Sequence, residues 1–161
     1  MKPSTLMLKS VRLLAICTML AIGAAGSIGV LAADKDKVIA DRQDFMKKQT
    51  REWIVVRNYI QGNADQQAAT AAVDNLAKLV PDVPNHFAPG TAGPTPDGKW
   101  ATKPEVWTQH DKFLAAEKKV TDQVAALGAA VKSGDKAKAE VAFKELDGCN
   151  ACHNDFRAKL Q

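Results

Sequence analysis

Cysteine, tracts of like charge, and stretches that predict a β-strand are all scarce in this 161-residue sequence. It has three cysteines, and its 22 basic side chains stand against 18 acidic ones. No basic tract stands out, which argues against a nucleic-acid partner. The lack of convincing strands predicts an all-α fold.

The amino-terminal segment has the pattern of an export signal. Its basic residues are Lys2, Lys9 and Arg12. Residues 13–33 are then uncharged and end in small side chains, with Val30-Leu31-Ala32 as the predicted cleavage site. We therefore predict a signal peptide over residues 1–32 and a single mature domain over residues 33–161. The alternative is an uncleaved anchor, because the uncharged stretch is long enough to span a bilayer; only then would the protein contact a membrane.

Removal of the leader changes both the charge and the cysteine count. The leader contains three basic residues and no acidic ones, so residues 33–161 keep 19 basic and 18 acidic side chains. Cys17 is lost with the leader, and Cys149 and Cys152 are then the remaining thiols. No cysteine is left for a structural disulfide, because these two stand together in a cofactor motif.

That motif is Cys149-Asn150-Ala151-Cys152-His153. The pattern C-x-x-C-H attaches a c-type haem: two thiols one helical turn apart bind the vinyl groups, and the histidine is an axial iron ligand. The alternative is a redox dithiol of the thioredoxin type, which requires a βαβ unit that is not evident here. We therefore predict one covalent haem c, attached through Cys149 and Cys152 and ligated by His153. Such attachment takes place outside the bacterial cytoplasm, so the motif and the leader together predict a periplasmic protein of a Gram-negative bacterium.

Apolar residues at helical spacing predict four helices in the mature chain. They cover about residues 36–61, 63–80, 104–132 and 135–160. Asn63 is the predicted N-cap of the second helix, with Gln66 completing a capping box. Residues 81–103, rich in proline and glycine, form a long crossover. This pattern predicts an antiparallel four-helix bundle with the haem between its helices, against the inner face of the fourth.

Bundle geometry suggests a second iron ligand. Met46 lies about ten residues from the start of the first helix, and His153 about seven from the end of the fourth, or roughly 15 Å and 10 Å along the two axes. Because these helices run antiparallel, both residues reach nearly the same level, and Met46 could bind the iron opposite His153. The alternative is that Met46 only fills the core. His86 and His110 are interpreted as structural residues, because Met46 is the better candidate for the sixth position of the iron.

Four segments together resemble the class II c-type cytochromes, the cytochrome c′ family. They are Arg42-Gln43-Asp44-Phe45-Met46, Phe87-Ala88-Pro89-Gly90-Thr91, Pro104-Glu105-Val106-Trp107, and the haem motif with Arg157. The resemblance covers about residues 36–160 and implies that Arg42 pairs with a haem propionate. Arg157, four residues after His153, is expected to pack over the haem edge.

The resemblance implies one of two functions, and the residue at position 46 distinguishes them. In low-spin relatives a methionine there completes His/Met coordination, and the role is electron transfer. In cytochromes c′ proper an apolar non-ligand leaves the iron five-coordinate, and the haem binds nitric oxide or carbon monoxide. Met46 favours the electron-transfer function, with gas binding as the alternative.

Neither function needs a positioned acid, a base or a substrate pocket, so we predict no enzymatic activity and no small-molecule substrate. The expected partners are redox proteins. A homodimer is also expected, because relatives of this class are often homodimers.

Overall fold

The structure, a computed structural model, describes the backbone of residues 27–160 and the side chains of residues 34–160. Its elements are α1 (Ser27–Ile60), α2 (Gln66–Leu79), the 3-10 helix η1 (Val80–His86), β1 (Gly93–Pro94), β2 (Trp100–Thr102), α3 (Glu105–Thr108), α4 (His110–Lys132), α5 (Lys136–Lys144), α6 (Gly148–Phe156) and β3 (Arg157–Lys159). The predicted leader lies mostly outside these residues and stays a prediction. Among the residues described, no helix has the length and apolar character needed to cross a membrane.

The predicted all-α, antiparallel four-helix bundle is confirmed. Helix α1 packs against α2 and α5, and α4 packs against α2, α5 and α6. One apolar cluster between these helices includes Val56, Val73, Leu76, Leu127 and Val131. A second cluster, around Phe45, Phe113 and Phe156, lies beside the haem motif. Helices α1 and α6 are not closely packed against each other, so space remains between them.

Two of the predicted helices are interrupted. The third is divided into α3 and α4 at Gln109, whose backbone angles (φ −125°, ψ 47°) are not helical. The fourth is divided into α5 and α6 at residues 145–147, and it ends at Phe156 rather than near Leu160. The apolar spacing continues across these points, so periodicity alone could not locate them.

The ends of two other helices also differ from the prediction. Asp65, not Asn63, caps α2, and its carboxylate accepts a hydrogen bond from the Ala68 amide at 2.7 Å. The Gln66 amide donates to the Val131 carbonyl at 3.1 Å instead of closing a capping box. Asparagine and aspartate are equally good caps, so the sequence did not decide between them. Within the described residues, helix α1 already includes Ser27, so it extends further towards the N-terminus than the predicted start near residue 36.

Three short strands accompany the helices, although no strand was evident from the sequence. Strands β1, β2 and β3 form a three-stranded antiparallel sheet in that order. Ala101 of β2 stands opposite Pro94 on one side and Ala158 on the other. Strands of two or three residues are too short to give an alternating pattern. The sheet ties the segment after the haem motif to the crossover.

Candidate haem-binding site

A cavity of about 300 Å³ lies between α1 and α6, and the crossover and α4 complete its walls. From α6 it is lined by Cys149, Cys152 and His153, and from α1 by Met46. The size is at the lower end of ordinary cofactor and ligand sites. The structure thus brings both predicted axial ligands and both predicted attachment thiols to one cavity.

The two thiols are free and half-buried. Burial raises the pKa of both, and the neighbouring Cys149 adds to the effect on Cys152, whose pKa is about 11. Reactive dithiol motifs instead have lowered thiol pKa values. The environment therefore argues against a reactive thiol–disulfide exchange site.

The His153 side chain is a neutral imidazole at neutral pH. Burial is the main cause, and the positive charge of Arg157 adds to it; together they lower the His153 pKa to about 4. Only an unprotonated ring nitrogen can bind iron. His153 is therefore in the state that an axial ligand requires.

The start of α6 is held by a side chain from α4. Gln123 Oε1 accepts a hydrogen bond from the Gly148 amide at 3.1 Å, and Gln123 Nε2 donates to the Glu145 carbonyl at 2.7 Å and to Asp147 Oδ1 at 2.9 Å. Asp147, the N-cap residue, makes no side-chain cap of its own. Gln123 thus satisfies a helix-terminal N–H that would otherwise lack a partner.

Met46 stands on the α1 side of the cavity, half-buried and packed against the Phe45–Phe113–Phe156 cluster. Its sulfur accepts a long contact from Gln49 Nε2 at 3.5 Å. Gln49 is only 9% exposed and also lines the cavity. Gln49 is not among the site residues predicted from the sequence. The one feature that could have pointed to it is its position as a polar residue on the apolar stripe of the first helix.

Arg42 lies at the cavity wall and is 4% exposed. Its guanidinium donates to the His86 carbonyl at 2.9 Å, the Thr91 carbonyl at 3.1 Å, Thr102 Oγ1 at 2.7 Å and Thr91 Oγ1. Burial lowers its pKa to about 10. No ion pair found among residues 34–160 includes Arg42. A propionate could supply the missing negative charge, so the predicted pairing fits, although most of the N–H groups already bind the crossover.

Arg157, at the start of β3, also lines the cavity. Its guanidinium carbon lies 3.8 Å from the centroid of the Trp100 ring, and burial lowers its pKa. Trp100 could not be assigned to the site from the sequence, because this contact depends on the pairing of β2 with β3. Two side chains from distant segments therefore form this part of the wall.

The remaining histidines are not among the cavity-lining residues. The His86 ring stacks on Phe45, with 3.6 Å between centroids, and lies 3.1 Å from Asp82 Oδ2. His110 is exposed at the start of α4, directly after the break at Gln109.

The residues at this cavity fit a c-type haem. They combine paired thiols and a neutral imidazole on α6 with largely apolar walls and a buried cation without a carboxylate partner.

Comparison with known proteins supports a covalent haem c as the cofactor. A family model described as Cytochrome C′ matches residues 37–157. A cytochrome c′ of Rubrivivax gelatinosus is 38% identical over 107 residues, which are 62% of this chain and 77% of the relative. A cytochrome c′ of Alcaligenes xylosoxydans xylosoxydans is 32% identical over 74 residues, 45% of this chain and only 54% of that relative.

Solved structures give the same result. Recombinant native cytochrome c prime from Alcaligenes xylosoxidans superposes with a TM-score of 0.68 at 26% identity, covering 78% of this chain and 97% of the other. The Rubrivivax gelatinosus cytochrome c′ has a TM-score of 0.64 at 29% identity, covering 74% and 94%. A nitric oxide complex of an Alcaligenes variant in which one leucine is replaced by alanine has a TM-score of 0.67 at 26% identity. The match covers 78% of this chain and 96% of the other.

Proposed function

Because the chain belongs to the cytochrome c′ family, we propose that it binds nitric oxide or carbon monoxide at its single covalent haem c. The observation that carries the proposal is the largely apolar cavity between α1 and α6, which reaches from the haem motif to Met46. An apolar pocket suits a small uncharged gas and disfavours charged solutes.

The chain's own residues have separable roles in this function. Cys149 and Cys152 hold the cofactor to α6, and His153 supplies a neutral nitrogen ligand. When bound, the haem supplies one iron that can take an axial ligand and exchange single electrons. Arg42 and Arg157 place positive charge at the cavity wall, where we propose that they meet the propionates and the haem edge.

The relatives support gas binding over the predicted electron-transfer role. Three of the solved relatives are nitric oxide complexes of variants of the Alcaligenes cytochrome c prime. None of the relatives described above is named as a low-spin electron carrier. We therefore place gas binding first and electron transfer second, which reverses the order predicted from Met46.

Electron transfer through a His153/Met46-ligated haem is the second candidate. It is favoured by one observation, the position of Met46 in the wall of the same cavity as His153. A thioether ligand would raise the reduction potential and would close the site to small ligands. Redox partner proteins would then be the natural partners.

Carbon monoxide distinguishes the two candidates. Optical spectra of the reduced holoprotein should change promptly on addition of carbon monoxide, and the Met46→Leu variant should respond in the same way. Sharp low-spin bands that do not respond, in a protein whose Met46→Leu variant does respond, would instead establish Met46 as the ligand and electron transfer as the function.

We also propose that the protein works in the periplasm after removal of residues 1–32. The supporting observation is the basic, then uncharged, leader that ends in small residues. The mass of the protein purified from its host should correspond to a chain beginning at Ala33. A mass that includes the leader would favour the membrane-anchored form. Sedimentation of the same preparation would give the mass of the particle in solution and so show whether the protein is a homodimer.

A further inference from the structure

Gln49 is a buried amide without a strong hydrogen-bonding partner in the haem cavity. It is 9% exposed and lines the cavity on α1, one helical turn after Met46. The hydrogen bond found for its side chain runs from Nε2 to Met46 Sδ at 3.5 Å. A thioether sulfur is a weak acceptor, so the amide remains poorly satisfied.

A buried polar group normally has a good hydrogen-bonding partner, because leaving it unsatisfied costs about 1–3 kcal/mol. The position of Gln49 suggests that its partner is supplied by what the cavity holds. Resting on the proposed gas-binding function, we propose that Gln49 Nε2 donates a hydrogen bond to the diatomic ligand and so determines the ligand affinity of the site.

The other polar side chains that α1 contributes to the cavity wall already form hydrogen bonds with other groups of the protein. Arg42 donates to carbonyls and hydroxyls of the crossover. The Gln43 side chain hydrogen-bonds Asp97 and helps to lower that residue's pKa. The Thr50 hydroxyl donates to the Met46 carbonyl within its own helix, at 3.1 Å.

Glu117, from α4, is also engaged, since it accepts a hydrogen bond from the Thr121 hydroxyl at 2.5 Å. Gln49 is therefore the best-placed donor among these side chains. It also shares a helix face with Met46, three residues earlier.

The test uses the carbon monoxide complex of the reduced holoprotein. The Gln49→Leu variant should show a higher C–O stretching frequency by infrared spectroscopy, because a hydrogen bond to the ligand oxygen weakens the C–O bond. Carbon monoxide should also leave about two- to tenfold faster, the factor expected for loss of one ordinary hydrogen bond. Asn58→Leu is the matched control, because it replaces a half-buried amide of the same helix away from the cavity, and it should change neither quantity.

The outcomes separate this inference from the proposed function. If the wild type does not bind carbon monoxide, the gas-binding proposal fails, whether or not Met46→Leu binds it. If the wild type binds it, and Gln49→Leu keeps both the stretching frequency and the dissociation rate, the role of Gln49 is overturned. Gln49→Ala serves as a second variant should leucine impair haem attachment. The melting temperature of each holoprotein is measured by thermal unfolding. If Gln49 has only a structural role, its replacement lowers the melting temperature and leaves the C–O stretching frequency unchanged.

Discussion

At the scale of single residues, Arg42 connects α1 to the crossover beside the haem cavity. Its guanidinium bonds to carbonyls and hydroxyls of His86, Thr91 and Thr102, and its carbon lies 4.4 Å from the centroid of the Phe87 ring. The sequence predicted Arg42 as a cofactor residue from resemblance. It could not reveal that the same side chain holds a loop dozens of residues away.

We predict that Arg42→Met lowers the free energy of unfolding of the holoprotein by about 2 kcal/mol, measured by urea denaturation. The reason is the loss of several charge-assisted hydrogen bonds, partly offset by removal of a buried charge. Arg51→Met, at an exposed position of the same helix, should change it by less than about 0.5 kcal/mol. Equal effects of the two substitutions would contradict the assigned role.

At the scale of elements, the beginning of α6 depends on a close approach to α4. A Cβ atom at Gly148 would lie 2.6 Å from Gln123 Oε1 and 2.9 Å from Val120 Cγ2. Glycine at this position therefore allows Gln123 to reach the Gly148 amide. The sequence predicted the haem helix from its motif but gave no sign of this contact between α4 and α6.

Gly148→Ala should lower the free energy of unfolding by about 1–3 kcal/mol and alter the haem optical spectrum, because α6 must move away from α4. Gly128→Ala is the control, since a Cβ there meets only Val73 atoms at 3.8 and 3.9 Å. In the interior of α4 that change should stabilise the protein by about 0.5–1 kcal/mol. Urea denaturation of both variants is the measurement, and a neutral Gly148→Ala would show that the close contact is unimportant.

At the scale of the whole molecule, the features predictable from the sequence were those with a local pattern. Apolar spacing predicted the four-helix bundle, which is confirmed, and C-x-x-C-H predicted the attachment residues and the axial ligand. The pairing of β2 with β3, the Trp100–Arg157 stack and the capping of α6 by Gln123 each join segments distant in the chain. No local pattern specifies such contacts, so the sequence could not predict them.

The haem cavity also leads us to a prediction about the stability of the whole protein without its cofactor. Without the cofactor, the largely apolar cavity between α1 and α6 would lose the contacts that the haem provides, and unfilled apolar space in a core lowers stability. The Cys149→Ala/Cys152→Ala double variant, made without haem, should therefore unfold at much lower urea concentration than the holoprotein. Equal midpoints would contradict a haem-filled core.

The spin state of the ferric holoprotein at neutral pH tests the central claim most directly. If the cavity is an open gas site, electron paramagnetic resonance should give a high-spin signal, and Met46→Leu should leave it unchanged. A low-spin signal that becomes high-spin in Met46→Leu would contradict this account and assign the protein to electron transfer through His153 and Met46.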